Sequence, residues 1–506
     1  MKYAILDCYT DEAAGLGVPP YLGTYPRYIA GYLNEEVYYL TIDDLRLWKK
    51  HNSEIKETKP AKIEDFLGSE SQGLPKPSEK TDITTYNLTH NYKKINEILN
   101  EIDELIIVLG VHVPGKYLSA VPGTIKELIP LISDLNCKKI LTGPAVFGTQ
   151  LFGGKFFEKY DKKVFDKIDA NLFRFKYDDV KEYAVKGAHI FEQIPDLRMM
   201  EIETGRGCDI GHCSFCTEPL KSKVEFREKD DILREMKTLY ELGARYFRYG
   251  KQTCFYTFPK VVDLLKETRK HCQKLKVLHI DNVNPVKVVM DKTHEITKAI
   301  VKYCTSGNIV AFGVESFDKE VVKQNTLNTS PKIAYEAIKI INKYGSEKGQ
   351  DGLPRYLPGI NIIFGLLGEN KGTNDENMKW LKKIYDDGLM LRRINIRQAA
   401  IFEGTSLYEK SKNVYLGKQR KLYWKWRNDI RQKIDFPMLK RIAPKGTIMK
   451  NCYAEIYDGN TTFCRQFGTY PLIVGVKKRL DLKKFYDLEI TGHMLRSLTG
   501  KVAAVK

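Results

Sequence analysis

Cys208, Cys213 and Cys216 stand in C-x4-C-x2-C spacing within Thr204-Gly-Arg-Gly-Cys-Asp-Ile-Gly-His-Cys-Ser-Phe-Cys216. Three thiolates can hold three irons of a [4Fe–4S] cube and leave the fourth iron open to a substrate or cofactor, which a four-cysteine electron carrier cannot do. Gly205, Gly207 and Gly211 let the backbone wrap closely around such a group. Other readings of these residues stay open. Zinc could take the three thiols together with His212 or a distant ligand. A plant-type [2Fe–2S] centre could recruit Cys254 or Cys272 as its fourth ligand. The thiols could also be unrelated core residues.

The elements that must position this loop follow from periodicity. From Met199 to about Leu407, short apolar runs alternate with helical segments. The strand candidates are Met200–Glu203, Tyr246–Tyr249, Val277–Ile280, Ile309–Val314, Ile360–Phe364 and Ile394–Ala400. Six βα units predict a partial parallel barrel whose working end lies at the strand carboxyl ends, and the cysteine loop follows the first strand. Residues 1–190 repeat the α/β alternation on a smaller scale and predict a separate Rossmann-like domain. A polar, Pro/Ser/Lys/Glu-rich stretch at 50–92 interrupts that domain and reads as an insertion. Beyond a connector at 411–450, residues 451–506 predict a small β-barrel, with strands at Thr461–Phe467, Leu472–Val476 and Phe485–Thr491.

The chain has 506 residues, 42% apolar and 29% charged, with 82 Lys and Arg against 64 Asp and Glu. That mix excludes collagen-like, disordered and disulfide-miniprotein classes. No apolar run approaches the roughly 18 residues of a membrane helix. The N-terminus lacks signal-peptide features, which predicts a cytoplasmic protein whose clustered cysteines hold metal and do not form disulfides. A net charge of +18 favours polyanionic partners. It concentrates at 411–450, with twelve Lys and Arg against two Asp and Glu. Tyr415, Tyr423, Trp424, Trp426 and Phe436 stand among those charges, a combination that suits single-stranded nucleic acid.

The cysteine cluster resembles the signature of the radical S-adenosylmethionine (SAM) superfamily, C-x3-C-x2-C with an aromatic before the last cysteine, here Phe215. The gap between the first two cysteines is one residue longer than the common form. The run Gly211-His-Cys-Ser-Phe-Cys-Thr-Glu-Pro219 is similar to that of a group of archaeal radical SAM proteins. The resemblance covers about residues 195–410. It implies a [4Fe–4S] cluster on the three cysteines, SAM on the open iron, and reductive cleavage to methionine and a 5′-deoxyadenosyl radical. A ferredoxin or flavodoxin would supply the electron.

The same resemblance places further residues near SAM. Tyr249-Gly250-Lys251-Gln252 occupies the place of the Gly-rich turn after the second strand. Ala311-Phe-Gly-Val-Glu315-Ser316 resembles the Gly-x-Glu-Ser stretch of tRNA methylthiotransferases and Elongator-like enzymes. Gly365-Leu-Leu-Gly-Glu369 and Phe402-Glu-Gly-Thr405 resemble the turns after the fifth and sixth strands. Arg393 and Arg397 share one strand face, and Arg397 could anchor the SAM carboxylate. Asp281 and Asn282 could contact ribose or substrate.

The ends resemble known domains more loosely. The first 190 residues are similar to a cobalamin-binding domain but lack its Asp-x-His-x-x-Gly loop, His112 being the nearest candidate. Cys8 and Cys137 are too few for a second cluster. Residues 486–500 resemble the last strands of a TRAM domain, an RNA-binding barrel. Cys452 and Cys464 read as buried thiols. These features predict a transferase that modifies RNA or tRNA by methylation or methylthiolation. The alternatives are a cobalamin-dependent methyltransferase acting on a small molecule or protein, and a non-enzymatic RNA-binding protein with a structural metal.

Overall fold

A computed structural model describes residues 1–9, 21–56, 86–110, 121–150, 157–158, 163–412 and 414–504. His112 and most of the 50–92 stretch lie outside these. Within that stretch the helix Ile42–His51 runs to residue 51, and Asn87 and Thr89 are buried.

The N-terminal sheet comprises β1 (Tyr3–Asp7), β3 (Val37–Thr41), β4 (Glu104–Val108), β5 (Lys138–Thr142) and β6 (Lys167–Ile168), ordered β3-β1-β4-β5-β6 with every pairing parallel. Counting only this sheet, the order is 2-1-3-4-5, the flavodoxin-like doubly wound arrangement. The alternation of side chains splits its apolar residues between two faces. Ile5, Tyr39 and Ile106 face the rest of the protein, while Leu6, Leu40, Ile107 and Leu141 form a separate core under the outer helices.

The central partial barrel contains all six expected strands. They are β7 (Met199–Glu203), β8 (Tyr246–Gly250), β9 (Val277–Ile280) continued by β10 (Asn282–Val283), β11 (Asn308–Glu315), β12 (Tyr356–Phe364) and β13 (Arg393–Gln398). All neighbours pair in parallel. The third strand breaks at Asp281, which divides the wall into two sheets. A short strand from the N-terminal region, β2 (Tyr21–Leu22), extends the wall beside β7.

The first domain is fastened to the barrel by buried charge. Arg27, in the helix Thr24–Leu33, pairs with Glu235 of the helix Lys229–Glu241, and Arg227 pairs with the other Glu235 oxygen. All three side chains are essentially sealed from solvent. Such groups stay charged in an apolar setting only because each satisfies another.

The C-terminal strands β14 (Ile448–Asp458), β15 (Thr461–Arg465), β16 (Ile473–Val476), β17 (Phe485–His493) and β18 (Leu498–Val502) close into a barrel ordered β14-β15-β16-β18-β17. Only β16 and β18 pair in parallel. Five strands in this Greek-key order form an OB-type barrel. The β15–β16 loop reaches under the central barrel, where Thr469 N donates to His279 Nδ1 at 2.9 Å and the Tyr470 hydroxyl donates to Asp281 at 3.4 Å. One apolar core therefore runs from the N-terminal sheet through the central barrel to the C-terminal one.

The connector folds as the helix Val414–Ile430, a π-helical turn at Arg431–Asp435 and the helix Phe436–Ile442. Three of its aromatics are not the surface platform their spacing suggested. Tyr423, Trp426 and Phe436 are buried, and the Trp426 ring lies 5.0 Å from that of Phe364. The apolar helix face covers the end of β12, and burial outweighs solvation for large rings. Trp424 remains exposed at 62%.

Candidate active site

The cysteine loop leaves β7 through Gly205–Arg206, which pairs antiparallel with Glu225–Phe226 and closes the loop at its base. Gly207 (φ 81°) and Gly211 (φ 63°) adopt left-handed backbone, and a Cβ on Gly207 would lie 2.3 Å from the Lys223 carbonyl. Glycine is therefore required at 207 both for conformation and for space. Cys208, Cys213 and Cys216 are partly exposed, whereas Cys8, Cys137, Cys254, Cys272, Cys452 and Cys464 are buried. Burial pushes the Cys213 thiol up to about 12 and Cys216 to about 11, with the neighbouring cysteines adding to the shift. Glu218 N donates to Cys216 Sγ at 3.4 Å, the type of contact that tunes cluster sulfurs.

Among the described residues no three His, Cys, Asp or Glu converge to hold a single metal ion. The three thiols nevertheless interact electrostatically on one loop. A four-iron cube fits that arrangement, because its ligands occupy separate corners. His212 is exposed.

The loop is stapled to the far strands by Asn325, which is wholly buried. Its Oδ1 accepts from Ser214 Oγ at 2.6 Å and Leu367 N at 3.2 Å, and its Nδ2 donates to the Leu367 and Val321 carbonyls at 2.8 and 2.7 Å. Leu407 N donates to Ser214 O at 2.7 Å. The turns after the fifth and sixth strands thus clamp the cysteine loop from behind. In the first of them Glu369 folds back to accept from Gly365 N at 2.8 Å, and burial lifts its carboxyl to about 8. Nothing in the sequence singled out Asn325. It follows a short helix, and its partners lie 42 and 111 positions away.

The barrel interior is polar and open on the side of the last three strands. Gly313 and Glu315, Asn361 and Ile363, and Arg393, Asn395 and Arg397 are partly exposed, while the alternating Phe312, Val314, Ile360, Ile362, Ile394 and Ile396 are buried. Glu315 ends β11 in a left-handed conformation (φ 63°), uncommon for a residue with a side chain. Its Oε2 is sealed and unpartnered. Burial raises its carboxyl to about 7, opposed by the Arg397 charge, and Cys213 lies within its electrostatic reach. An orphaned carboxylate oxygen beside the cysteine loop is the local feature a SAM molecule would satisfy.

The remaining site candidates occupy several surroundings. Phe215 packs among Val321, Leu366, Leu367 and Leu416 and anchors the loop. Gly250 is buried, and a Cβ there would lie 3.3 Å from Glu201 Oε1, so the Glu201, Arg248 and Asp281 side chains pack closely against its backbone. Gln252 is held by the protein: Thr204 Oγ1 donates to its oxygen at 2.7 Å and its nitrogen donates to the Cys254 carbonyl. It braces two strand ends together. Ser316 is buried, and its hydroxyl accepts from Asp318 N at 3.1 Å. Asp281 pairs with Arg248 at 3.2 Å deeper in the interior, Arg248 also pairing with Glu201. Arg393 lies over the Tyr470 ring at 3.8 Å. The structure therefore groups the three cysteines, Glu315 and Arg397 at one mouth and leaves Gln252 and Ser316 in supporting positions.

A parallel partial barrel, a three-thiol loop after its first strand and a polar interior opening beside that loop define an iron–sulfur enzyme fold. The Radical SAM superfamily model matches residues 202–381, and the chain carries a radical SAM domain there. It is 39% identical to an uncharacterised protein of Methanocaldococcus jannaschii, over 98% of this chain and 92% of the relative. It is 36% identical to one of Archaeoglobus fulgidus, over 99% and 90%. Among solved structures it is similar to the radical SAM methyltransferase TsrM from Kitasatospora setae, described with cobalamin and a [4Fe–4S] cluster bound. The TM-score is 0.48 at 12% identity, over 80% of this chain and 76% of that one. The cobalamin-dependent radical enzyme OxsB gives 0.46 at 13% identity, over 84% and 56%. No helix among the described residues is long and apolar enough to cross a membrane.

Proposed function

We propose that this enzyme uses its radical chemistry to modify RNA, most simply tRNA, by methylation or methylthiolation. When bound, the cluster and SAM supply reductive cleavage to methionine and a 5′-deoxyadenosyl radical that takes a hydrogen atom from the substrate. Cys208, Cys213 and Cys216 hold the cluster. Asn325 and Phe215 fix the loop that carries them, and Glu315, Arg397 and the Gly250 backbone orient SAM. The observation that carries the RNA reading is the OB-type barrel fused to the core of a chain with net charge +18.

A second reading, a cobalamin-dependent methyltransferase, is favoured by the 2-1-3-4-5 order of the N-terminal sheet. Ligands of such sheets bind at the carboxyl ends beside the point where strand order reverses, here between β1 and β4. Asp7, at the end of β1, lies within electrostatic reach of Lys251 and Arg198, so that crevice faces the central barrel.

The test is anaerobic reconstitution with iron and sulfide, then reduction with SAM. Deoxyadenosine is assayed for wild type and for the variant with all three cysteines changed to Ala. Deoxyadenosine from wild type alone, stimulated by tRNA, supports the first reading; stimulation by corrinoid supports the second. RNA binding that survives in the triple variant, with no SAM cleavage by wild type, would leave a non-enzymatic RNA-binding protein.

A further inference from the structure

Beneath the central barrel, where β13 begins, lies a cavity of about 80 Å³ walled by the connector helices and the C-terminal barrel. That measure leaves room for several waters or one tetrahedral oxyanion. Its lining is dominated by Arg392, Arg393, Arg431 and Arg465, with Asp435 the sole acid among the lining residues. Arg431 pairs with Asp435, and Arg465 pairs with Glu455 at 2.6 Å behind the wall. Among the described residues Arg392 and Arg393 have no ion pair of their own. Arg392 donates to the Tyr470 and Pro471 carbonyls at 3.0 and 3.1 Å, and Arg393 stacks on the Tyr470 ring.

Two further observations point to a missing partner. The Nε atoms of Arg431 and Arg465 are sealed from solvent without a hydrogen-bond acceptor among the described residues, in side chains that are almost wholly buried. Buried donors of this kind are nearly always satisfied, by protein, water or ligand. In addition, burial and the neighbouring like charges push the Arg392 and Arg393 guanidinium groups down to about 10. A cationic group under that pressure gains from any anion that enters.

We propose that this cavity is an oxyanion site that receives a phosphate group of the substrate. Guanidinium forks match the geometry of phosphate oxygens and remain charged throughout the physiological range. The placement suits a substrate anchor. Arg496, in the turn between β17 and β18, stands exposed at the cavity lining. In an OB-type barrel the loop between the last two strands belongs to the ligand-binding side. Arg393 lies on the same interior row as Arg397, four residues or about 13 Å below the cysteine mouth. A phosphate held there would fix one end of a substrate whose other end reaches the radical site, so remote binding energy orients the reacting group. The proposal deepens the RNA reading but does not require it, because a free phosphorylated metabolite offers the same group.

The experiment uses the full-length reconstituted protein. Thermal unfolding is followed with inorganic phosphate and, at matched ionic strength, with chloride. Phosphate should stabilise wild type selectively, since a ligand that binds only the folded state raises its melting temperature. Arg393→Gln and the exposed Arg496→Ala should each weaken phosphate binding by about tenfold or more. Arg496→Ala guards against misfolding, because it alters an exposed side chain, and the melting temperature of each variant without phosphate reports its integrity. Competition then separates the sources. A short RNA oligonucleotide that displaces phosphate, with a salt slope about one unit shallower in Arg496→Ala, assigns the phosphate to RNA. Displacement by nucleoside monophosphates and not by RNA keeps the site and rejects the RNA reading. Absence of phosphate-specific stabilisation in wild type, or stabilisation untouched by both substitutions, overturns the proposal.

Discussion

Asn325→Ala should loosen the cysteine loop while leaving the barrel folded. The side chain makes four buried hydrogen bonds, two accepted from Ser214 and Leu367 and two donated to the Val321 and Leu367 carbonyls. Each such bond contributes about 1 kcal/mol net, while a buried polar group left unpaired costs about 1–3 kcal/mol. The Ser214 hydroxyl and Leu367 N–H both lose their acceptor. Allowing for partial relaxation and water entry, we expect a loss of about 3–5 kcal/mol. The assay is urea unfolding of the apoprotein beside iron and sulfide per chain after anaerobic reconstitution. Iron content should fall together with stability, because Ser214 lies beside Cys213. Asn325→Asp sharpens the test. An ionised carboxylate would face two carbonyl oxygens, so its folded-state pKa must rise above the ordinary value of about 4. That variant should be most stable in acid and lose stability as pH rises through the raised value. An Ala variant within about 1 kcal/mol of wild type, or one destabilised yet holding full iron, would refute the reasoning.

Three other perturbations probe different parts of the design. Gly207→Ala forces a Cβ against the Lys223 carbonyl and a side chain into left-handed backbone; reconstitution should yield markedly less iron while the circular dichroism of the core stays unchanged. Glu235→Leu strands the buried Arg27 and Arg227 guanidinium groups, which should cost about 3–5 kcal/mol in urea unfolding. Glu369 has a folded-state carboxyl raised by burial to about 8 from 4.5. The folded protein therefore holds a proton that the unfolded chain releases, and stability declines as pH rises across that window. Glu369→Gln should flatten the decline, as read from melts at several pH values between 5 and 8.

The cysteine spacing, its glycines and the six βα repeats are local patterns, so they were legible in the chain itself. A strand buried on both faces is written as an apolar run, and a thiol loop must be flanked by residues that permit tight turns. Strand positions in the central barrel accordingly agree within a few residues. The C-terminal barrel was only partly legible. Ile448–Asp458 and Leu498–Val502 alternate weakly, because barrel strands share burial with the element they dock against.

Tertiary structure alone decided which polar residues meet. Asn325 joins Ser214 and Leu367 across the site, and Arg393, Arg431 and Arg465 converge from a strand, a π-helical turn and the C-terminal barrel. It also decided that Tyr423 and Trp426 are core and not platform, since composition records which side chains are present and not which helix face another element covers. Sequence fixes the type and local spacing of chemical groups; distances between groups far apart in the chain follow from packing, which sums many weak contacts that no short segment encodes.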